Sequence, residues 1–277
     1  MGIMAELWFG GVSSADAGIR HVEKYPALNR PARKSEVAIV PARNGDIVRL
    51  FDAWENYEQE YEIYAGTGAK GSAPQAFRTI SEWLNPVSEY PHDMNLAVGY
   101  SRLEDIYEPD HFRLAYFAGP LDVENIFSQY GRATITFNCR PERFLKSGEQ
   151  EITVDPSLTT SGTTGTLIMN PTGFWSKPLL KLTGSGTFKV VWSTGASMTG
   201  STTTVTILDL GSSSKTLYID METEQAWFSS GESANDYLGM TEPIFLRPGN
   251  NYMRAIQNGD SPGTLTSFKV TPRWWTL

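Results

Sequence analysis

The sequence predicts a mainly β protein in two parts. An N-terminal β domain with one short helix spans residues 1–148, and a C-terminal β-sandwich or jelly-roll spans residues 149–277. Three observations predict it. Short runs that alternate apolar and polar residues recur along the chain, with turn-forming residues between them. A single segment repeats apolar residues convincingly at helical spacing. From Ser147 to Gly173 the composition shifts to Ser, Thr and Gly, which places the boundary near residue 148.

In the first part, Leu7–Val12 reads as a strand followed by a turn at Ser13–Asp16. Ser35–Val40 alternates and ends at Pro41. Asn44-Gly45-Asp46 is a hairpin signal joining that strand to Ile47–Phe51, because Asn and Gly tolerate the positive φ of tight hairpin turns. Tyr57–Ala65 puts Tyr57, Tyr61, Ile63 and Ala65 on one face and Glu58, Glu60 and Glu62 on the other, the pattern of a half-exposed antiparallel strand. The helix is Pro74–Leu84: Phe77, Ile80 and Leu84 share a face, Ala76 and Trp83 flank it, Pro74 suits a first turn, and Pro86 marks the end. Leu121–Tyr130 fits either a helix or a strand. Phe112–Phe117 and Ala133–Cys139 read as strands, the latter closing at Pro141.

The second part is nearly all strand: Leu179–Leu182, Thr187–Trp192, Thr203–Leu208, Thr216–Asp220, Gln225–Phe228, Ile244–Leu246, Tyr252–Gln257 and Ser267–Trp275. Short strands at such spacing indicate two packed sheets. There is no internal repeat.

Composition narrows the function. The 277 residues are 40% hydrophobic and 19% charged, enough to build a core. Gly (25) and Pro (16) suit many turns, and 8 Trp, 12 Tyr and 13 Phe favour strands and offer contact surface. The formal net charge is −8, and residues 1–150 hold 15 Lys+Arg against 21 Asp+Glu. An acidic chain without a basic block is a poor nucleic-acid binder, because phosphate neutralisation dominates that affinity. Cys139 is the only cysteine, so no internal disulfide or thiolate cluster forms. The opening residues lack a basic n-region, Glu6 interrupts their apolar stretch, and no stretch suits a spanning helix. The expectation is a soluble protein made in a cytoplasm, with no membrane anchor.

Several constellations suggest chemistry and fail on context. Gly66-Thr67-Gly68-Ala69-Lys70-Gly71 spells G-x-G-x-x-G between a strand and a helix. The strand before it carries three glutamates, whereas a dinucleotide-binding strand is buried on both faces, so the segment reads as a flexible turn. Glu104, Asp105, Glu108, Asp110 and His111 lack the order of a calcium loop and read as a solvated acidic loop. His21, His92 and His111 form no zinc pair. No G-x-S-x-G occurs for a serine nucleophile, and Cys139 lies inside an apparent strand as a packed, inert thiol. Trp175, Trp192, Trp227, Tyr237, Trp274 and Trp275 read mostly as core or interface residues. The expectation is therefore no enzyme, no catalytic, cofactor-binding or metal-binding residue, and no cofactor.

The order of short segments resembles the distal tail protein of siphophages, the baseplate hub family often called Dit. Phe9-Gly10-Gly11-Val12-Ser13-Ser14 with Gly18-Ile19 is similar to that family's opening strand and turn. Val40-Pro41-Ala42-Arg43-Asn44-Gly45-Asp46 is similar to its hairpin, with Ala42 in place of the usual glycine. Ile80–Leu84, Gly99–Leu103 and Pro109–Arg113 resemble its middle portion, and Gly131-Arg132-Ala133 leading into Thr136–Pro141 resembles the end of its first domain. Leu217–Thr223 and Pro272-Arg273-Trp274-Trp275 resemble its second domain. No single motif is specific; their order along nearly the whole chain is.

The resemblance implies an N-terminal domain that closes a hexameric ring with copies of itself and a galectin-like C-terminal sandwich outside the ring. It implies a virion tail-tip location, joining the tail tube protein to the tail-tip or tail-associated protein, with DNA only in transit. A receptor-binding protein is a further implied partner, although the chain has no spare length for the large extension that holds one in some relatives. On the residues alone two other classes stay open. A carbohydrate-binding β-sandwich module acting in host-surface adhesion would explain the second part but not the helix-containing first. A polysaccharide-degrading enzyme would need carboxylates in a cleft, and the second part offers few.

Overall fold

A computed structural model describes residues 6–25, 29–39, 41, 44–66, 73–85, 99–117, 119–121, 123–127, 130–157, 164–198, 202–258 and 263–277. The protein is mainly β, with one α-helix among the described residues. It divides into two compact units, Met1–Arg143 with Leu277, and Phe144–Thr276.

In the first unit the elements run β1 (Leu7–Phe9), β2 (Val12–Ser13), β3 (Ile19–Tyr25), β4 (Arg33–Ala38), β5 (Ile47–Trp54), β6 (Tyr57–Gly66), α1 (Ala73–Trp83), β7 (Ser101–Asp105), β8 (His111–Phe117), β9 (Val123–Phe127) and β10 (Tyr130–Leu145). The strands pair in the order β2-β1-β7-β8-β10-β6-β3, with β9 also on β10, while β4 and β5 form a separate two-stranded sheet. The expected single strand over Leu7–Val12 is broken: Gly10 (φ 59°) and Gly11 (φ 81°) turn the chain back so that Phe9 faces Val12. Positive φ at both positions is the geometry of a type I′ hairpin. The ambiguous segment after Leu121 is a strand.

β6 runs antiparallel to both β3 and β10, with Tyr61 opposite Ile135 and Lys24. Its Tyr57, Gln59, Tyr61, Ile63 and Ala65 are buried, which fixes the register, since a one-residue slip would bury the glutamates instead. Antiparallel pairing on both sides also removes the βαβ context that the glycine motif needs; Thr67 to Gly71 lie outside the described residues. α1 lays Phe77, Ile80, Trp83 and the following Leu84 on the core beside Phe9 and Phe137. The Trp83 indole N–H donates to the Val12 carbonyl (3.1 Å). Gly131 is required under this helix, because a Cβ there would meet the Phe77 ring at 2.2 Å. β10 does not close at Pro141. Its last pair with β6 is Cys139 with Tyr57, so the missing proline N–H costs no bond on that ladder and the strand continues to Leu145.

The second unit is a β-sandwich. Its strands are β11 (Ile152–Val154), β12 (Thr166–Asn170), β13 (Leu179–Ser185), β14 (Phe188–Ser193), β15 (Thr202–Ile207), β16 (Lys215–Asp220), β17 (Gln225–Phe228), β18 (Leu238–Met240), β19 (Gly249–Gln257), β20 (Thr264–Thr271) and β21 (Trp275–Thr276). Two five-stranded sheets, β11-β20-β13-β16-β17 and β12-β19-β14-β15-β18, enclose a core that includes Leu180, Leu182, Phe188, Trp192, Leu217 and Phe268. Ile244–Leu246 is no strand; Leu246 makes one bridge to Ser176, while Ile244 and Leu246 are still buried. The expected strand over Ser267–Trp275 breaks after Thr271. Pro272 interrupts it, and Arg273 turns left-handed (φ 58°) to place its guanidinium on the buried Asp220 carboxylate at 2.8 and 3.1 Å.

Candidate assembly surface

The β4–β5 ribbon is where the chain departs most from ordinary burial. Ser35 faces Leu50 and Val37 faces Val48 across it, so these residues and Ile39 share one face. On that face Val37 is 53%, Ile39 80%, Val48 56% and Leu50 56% exposed. The other face carries Lys34, Glu36 and Arg49, with the Arg49 guanidinium 5.3 Å from the centre of the Phe51 ring. Gly45 turns the tip with φ 80°, and the Arg33 guanidinium clamps the base, donating to the Phe51 carbonyl (2.8 Å) and the Asp52 carboxylate (2.7 Å). Among the described residues no further strand pairs with either outer edge of the ribbon. An isolated hairpin is marginal in water, and a flat apolar face with open edges is the usual signature of a contact surface.

The acidic segment that begins at the end of β7 is a correction to expectation: Asp110 is exposed, but Glu104, Asp105 and Glu108 are not solvated loop acids. Asp105 is buried, accepts the Tyr61 hydroxyl (2.7 Å), and pairs with Lys24 (3.1 Å) and Arg113 (3.2 Å). Its other oxygen accepts the backbone N–H groups of Tyr107 and Glu108, both at 3.0 Å. Glu108 pairs with Lys24 (3.0 Å), Arg143 (3.1 Å) and Arg113, and Glu104 pairs with Arg102. Burial alone would raise the Asp105 carboxyl, but Arg113 and Lys24 outweigh it and hold the group below the usual carboxylate range. Burial and then Arg113 push Lys24 down, only partly offset by Asp105. Three cations meet two carboxylates, every one of them engaged in ion pairs. The arrangement is a folding element rather than a reactive centre.

The remaining sequence candidates disperse. Cys139 is buried, and burial raises its thiol to about 12, so it is no nucleophile. His21 leans on Tyr64 with ring centres 5.7 Å apart, His111 sits in β8, and His92 lies outside the described residues. Among the described residues no group of three or more His, Cys, Asp or Glu is placed to hold a metal ion. Trp192 and Trp274 are core residues, and Tyr237 packs edge-on against Phe228. Tyr218 and Trp227 stack across β16 and β17, Trp275 stacks on Phe174, and Trp175 is half exposed beside Arg247. The ribbon residues Val37, Ile39, Val48 and Leu50 were not singled out by sequence, although the Asn44-Gly45 turn signal located the hairpin that carries them.

No helix among the described residues is long and apolar enough to cross a membrane. No protein-family model matches the sequence, and no curated protein matches it. Among solved structures the chain is similar to the Dit (gp 19.1) protein of phage SPP1, described as a paradigm of the hub adsorption apparatus in phages that infect Gram-positive hosts. The likeness covers 99% of this chain and 100% of that one, at a TM-score of 0.65 and 14% sequence identity. At that identity what is shared is the fold, and it is shared from end to end.

Proposed function

We propose that this chain is a structural hub protein of a phage tail, a distal tail protein without chemistry of its own. The observation that carries the reading is the likeness to the SPP1 hub protein, which covers 99% of this chain and 100% of that one. The order of resembling segments in the sequence supports it independently of that likeness. In this reading the first unit closes a hexameric ring with five other copies, and the galectin-like second unit lies outside it. The ring joins the tail tube protein to the tail-tip protein at the end of the virion tail, and DNA passes through in transit. A receptor-binding protein is a further candidate partner. The uncovered ribbon supports a protein that meets other chains, since a lone monomer seldom leaves such a face in water.

Electron microscopy of assembled tails tests the reading, with antibody or tag labelling of this chain. The expected result is label at the tail tip and sixfold symmetry, or threefold symmetry built on six. Label along the tube or on the head, or a chain absent from virions, refutes it.

A further inference from the structure

We propose that Arg247 and Trp175 in the second unit form a binding site for an acidic sugar, a pyranose ring that carries a carboxylate. The inference goes beyond the hub reading and does not rest on it.

The site starts from an arginine without a counterion. The Arg247 guanidinium carbon lies 4.7 Å from the centre of the Trp175 ring and 5.4 Å from that of Trp192. Trp192 is buried and Trp175 is half exposed, so one indole backs the guanidinium and the other meets water. The Arg247 Nε is buried with no acceptor, and among the described residues the guanidinium has no hydrogen-bond or ion-pair partner. Arg273 in the same unit is the contrast: its fork meets the buried Asp220 carboxylate at 2.8 and 3.1 Å. An arginine placed only for packing brings a desolvation cost that a methionine would avoid. An arginine stacked on aromatic rings with its fork free is suited instead to receive a planar carboxylate. With Nε shut off, the two Nη groups are left to donate side by side to both oxygens of one carboxylate.

The site is set before any ligand arrives. The buried Asn251 side chain accepts the Arg247 backbone N–H (2.9 Å) and the Trp192 indole N–H (3.1 Å), and donates to the Arg247 carbonyl (2.7 Å). The Trp175 carbonyl accepts the Trp275 indole N–H (2.9 Å), and Ser176 exchanges two backbone bonds with Leu246 (3.0 and 2.9 Å). The Asn170 amide ties the two segments together, donating to the Phe174 carbonyl (2.8 Å) and the Leu246 carbonyl (3.0 Å). Such fixed geometry lowers the entropic cost of binding.

Size selects the class of ligand. The aromatic surface beside the fork is one half-exposed indole with the partly buried Phe245 next to it, ring centres 6.0 Å apart. That is far below the roughly 800 Å² that a stable protein interface takes from each partner. It matches one face of a sugar ring, whose C–H groups pack on an indole while a carboxylate at the ring's edge reaches the fork. A neutral sugar would leave the fork unpaired, and a bare anion would leave the indole uncovered.

Saturation-transfer NMR with the full chain tests the site. The probes are methyl β-D-glucuronide, its neutral counterpart methyl β-D-glucoside, and the blocked acidic peptide acetyl-Ala-Asp-Ala-amide. Wild type is expected to bind the glucuronide with a dissociation constant on the order of 1 mM. The glucoside and the peptide should bind at least roughly tenfold more weakly. Arg247→Met and Arg247→Lys should each weaken the glucuronide at least roughly tenfold, the lysine because a point charge does not replace a stacked fork. Trp175→Ala should weaken it at least roughly threefold. Lys215→Met is the control: that ammonium lies over Phe228 (5.0 Å) and Tyr237 (5.5 Å) in the same unit, and its loss should leave binding unchanged. Melting temperatures establish that each variant folds, and the ranking of the three probes on wild type decides the matter even where a variant does not. Equal binding of glucuronide and glucoside, a peptide that binds as tightly, or no glucuronide binding by wild type overturns the inference. So does full binding by either folded Arg247 variant, or loss of binding in Lys215→Met. None of these outcomes bears on the hub reading, which microscopy of tails decides separately.

Discussion

Replacing Asp105 by Ala removes one of the two carboxylates that Lys24 and Arg113 share and leaves three cations, Lys24, Arg113 and Arg143, against Glu108 alone. Breaking a buried ion pair from one side costs about 3–5 kcal/mol, because the remaining charge keeps its desolvation penalty without its partner. For a unit of this size that corresponds to a fall in melting temperature of about 10 °C. Lys24→Met is the contrasting perturbation. It deletes the cation that burial and Arg113 already disfavour, and leaves Arg113 and Arg143 against Asp105 and Glu108. Its cost should be smaller than that of Asp105→Ala, because each charge that remains keeps an opposite partner. Acid adds a signed check. A carboxyl held below its unfolded value, near 3.9, stabilises the fold above that pH, and this contribution is lost as pH falls through the folded value. Asp105→Asn should therefore unfold with a shallower dependence on pH below about 4 than wild type. The assay is thermal and urea unfolding from pH 2 to 8, followed by circular dichroism and tryptophan fluorescence, with any separate transition of the second unit as internal reference. An Asp105→Ala cost under about 1 kcal/mol, or a Lys24→Met cost equal to it, would refute this account of the cluster.

Two further outcomes follow from packing. Gly131→Ala should destabilise the first unit by about 1–3 kcal/mol through the clash with Phe77, and Phe77→Leu in the same chain should recover part of it in the same unfolding assay. Cys139 should resist a colorimetric thiol reagent in native buffer and react fully once the chain is unfolded in guanidinium; rapid native reaction would contradict its burial and raised pKa.

The architecture was legible because its signals are local. Tyr57–Ala65 wrote its two faces in alternation, Pro74–Leu84 wrote its helix in a three-and-four spacing, and the structure places β6 at Tyr57–Gly66 and α1 at Ala73–Trp83. Glycine geometry was less legible: Leu7–Val12 looks like one strand until Gly10 and Gly11 both take positive φ. The acidic segment misled for a different reason. Asp105 and Glu108 look like solvated loop acids because two of the cations that neutralise them, Lys24 and Arg143, come from distant positions in the chain, and Arg113 reaches them only when β8 folds back on β7. Sequence spacing carries no record of such a meeting. The ribbon misled by similarity, since Val37, Val48 and Leu50 alternate as any half-buried strand does, and alternation says that a face is apolar without saying what covers it.

The two features that sequence hid are connected at the root of the ribbon. Arg143, which pairs with Glu108 in the buried cluster, also donates to the Asn29 backbone carbonyl. Asn29 in turn donates from its side-chain amide to the Glu58 carbonyl on β6 (2.8 Å), and the Glu55 N–H donates to the Ala32 carbonyl (2.8 Å) where the ribbon returns. Both legs of the hairpin are thus tied, directly or through Arg143, to the most buried part of the first unit. A ribbon hinged freely on this root would have to surrender that freedom on association, at a cost that offsets part of the contact energy. A ribbon held at both legs has surrendered much of it on folding. The buried charges, which contribute little net stability for the desolvation they require, are then explained by where they hold the chain: they fix the base of the ribbon.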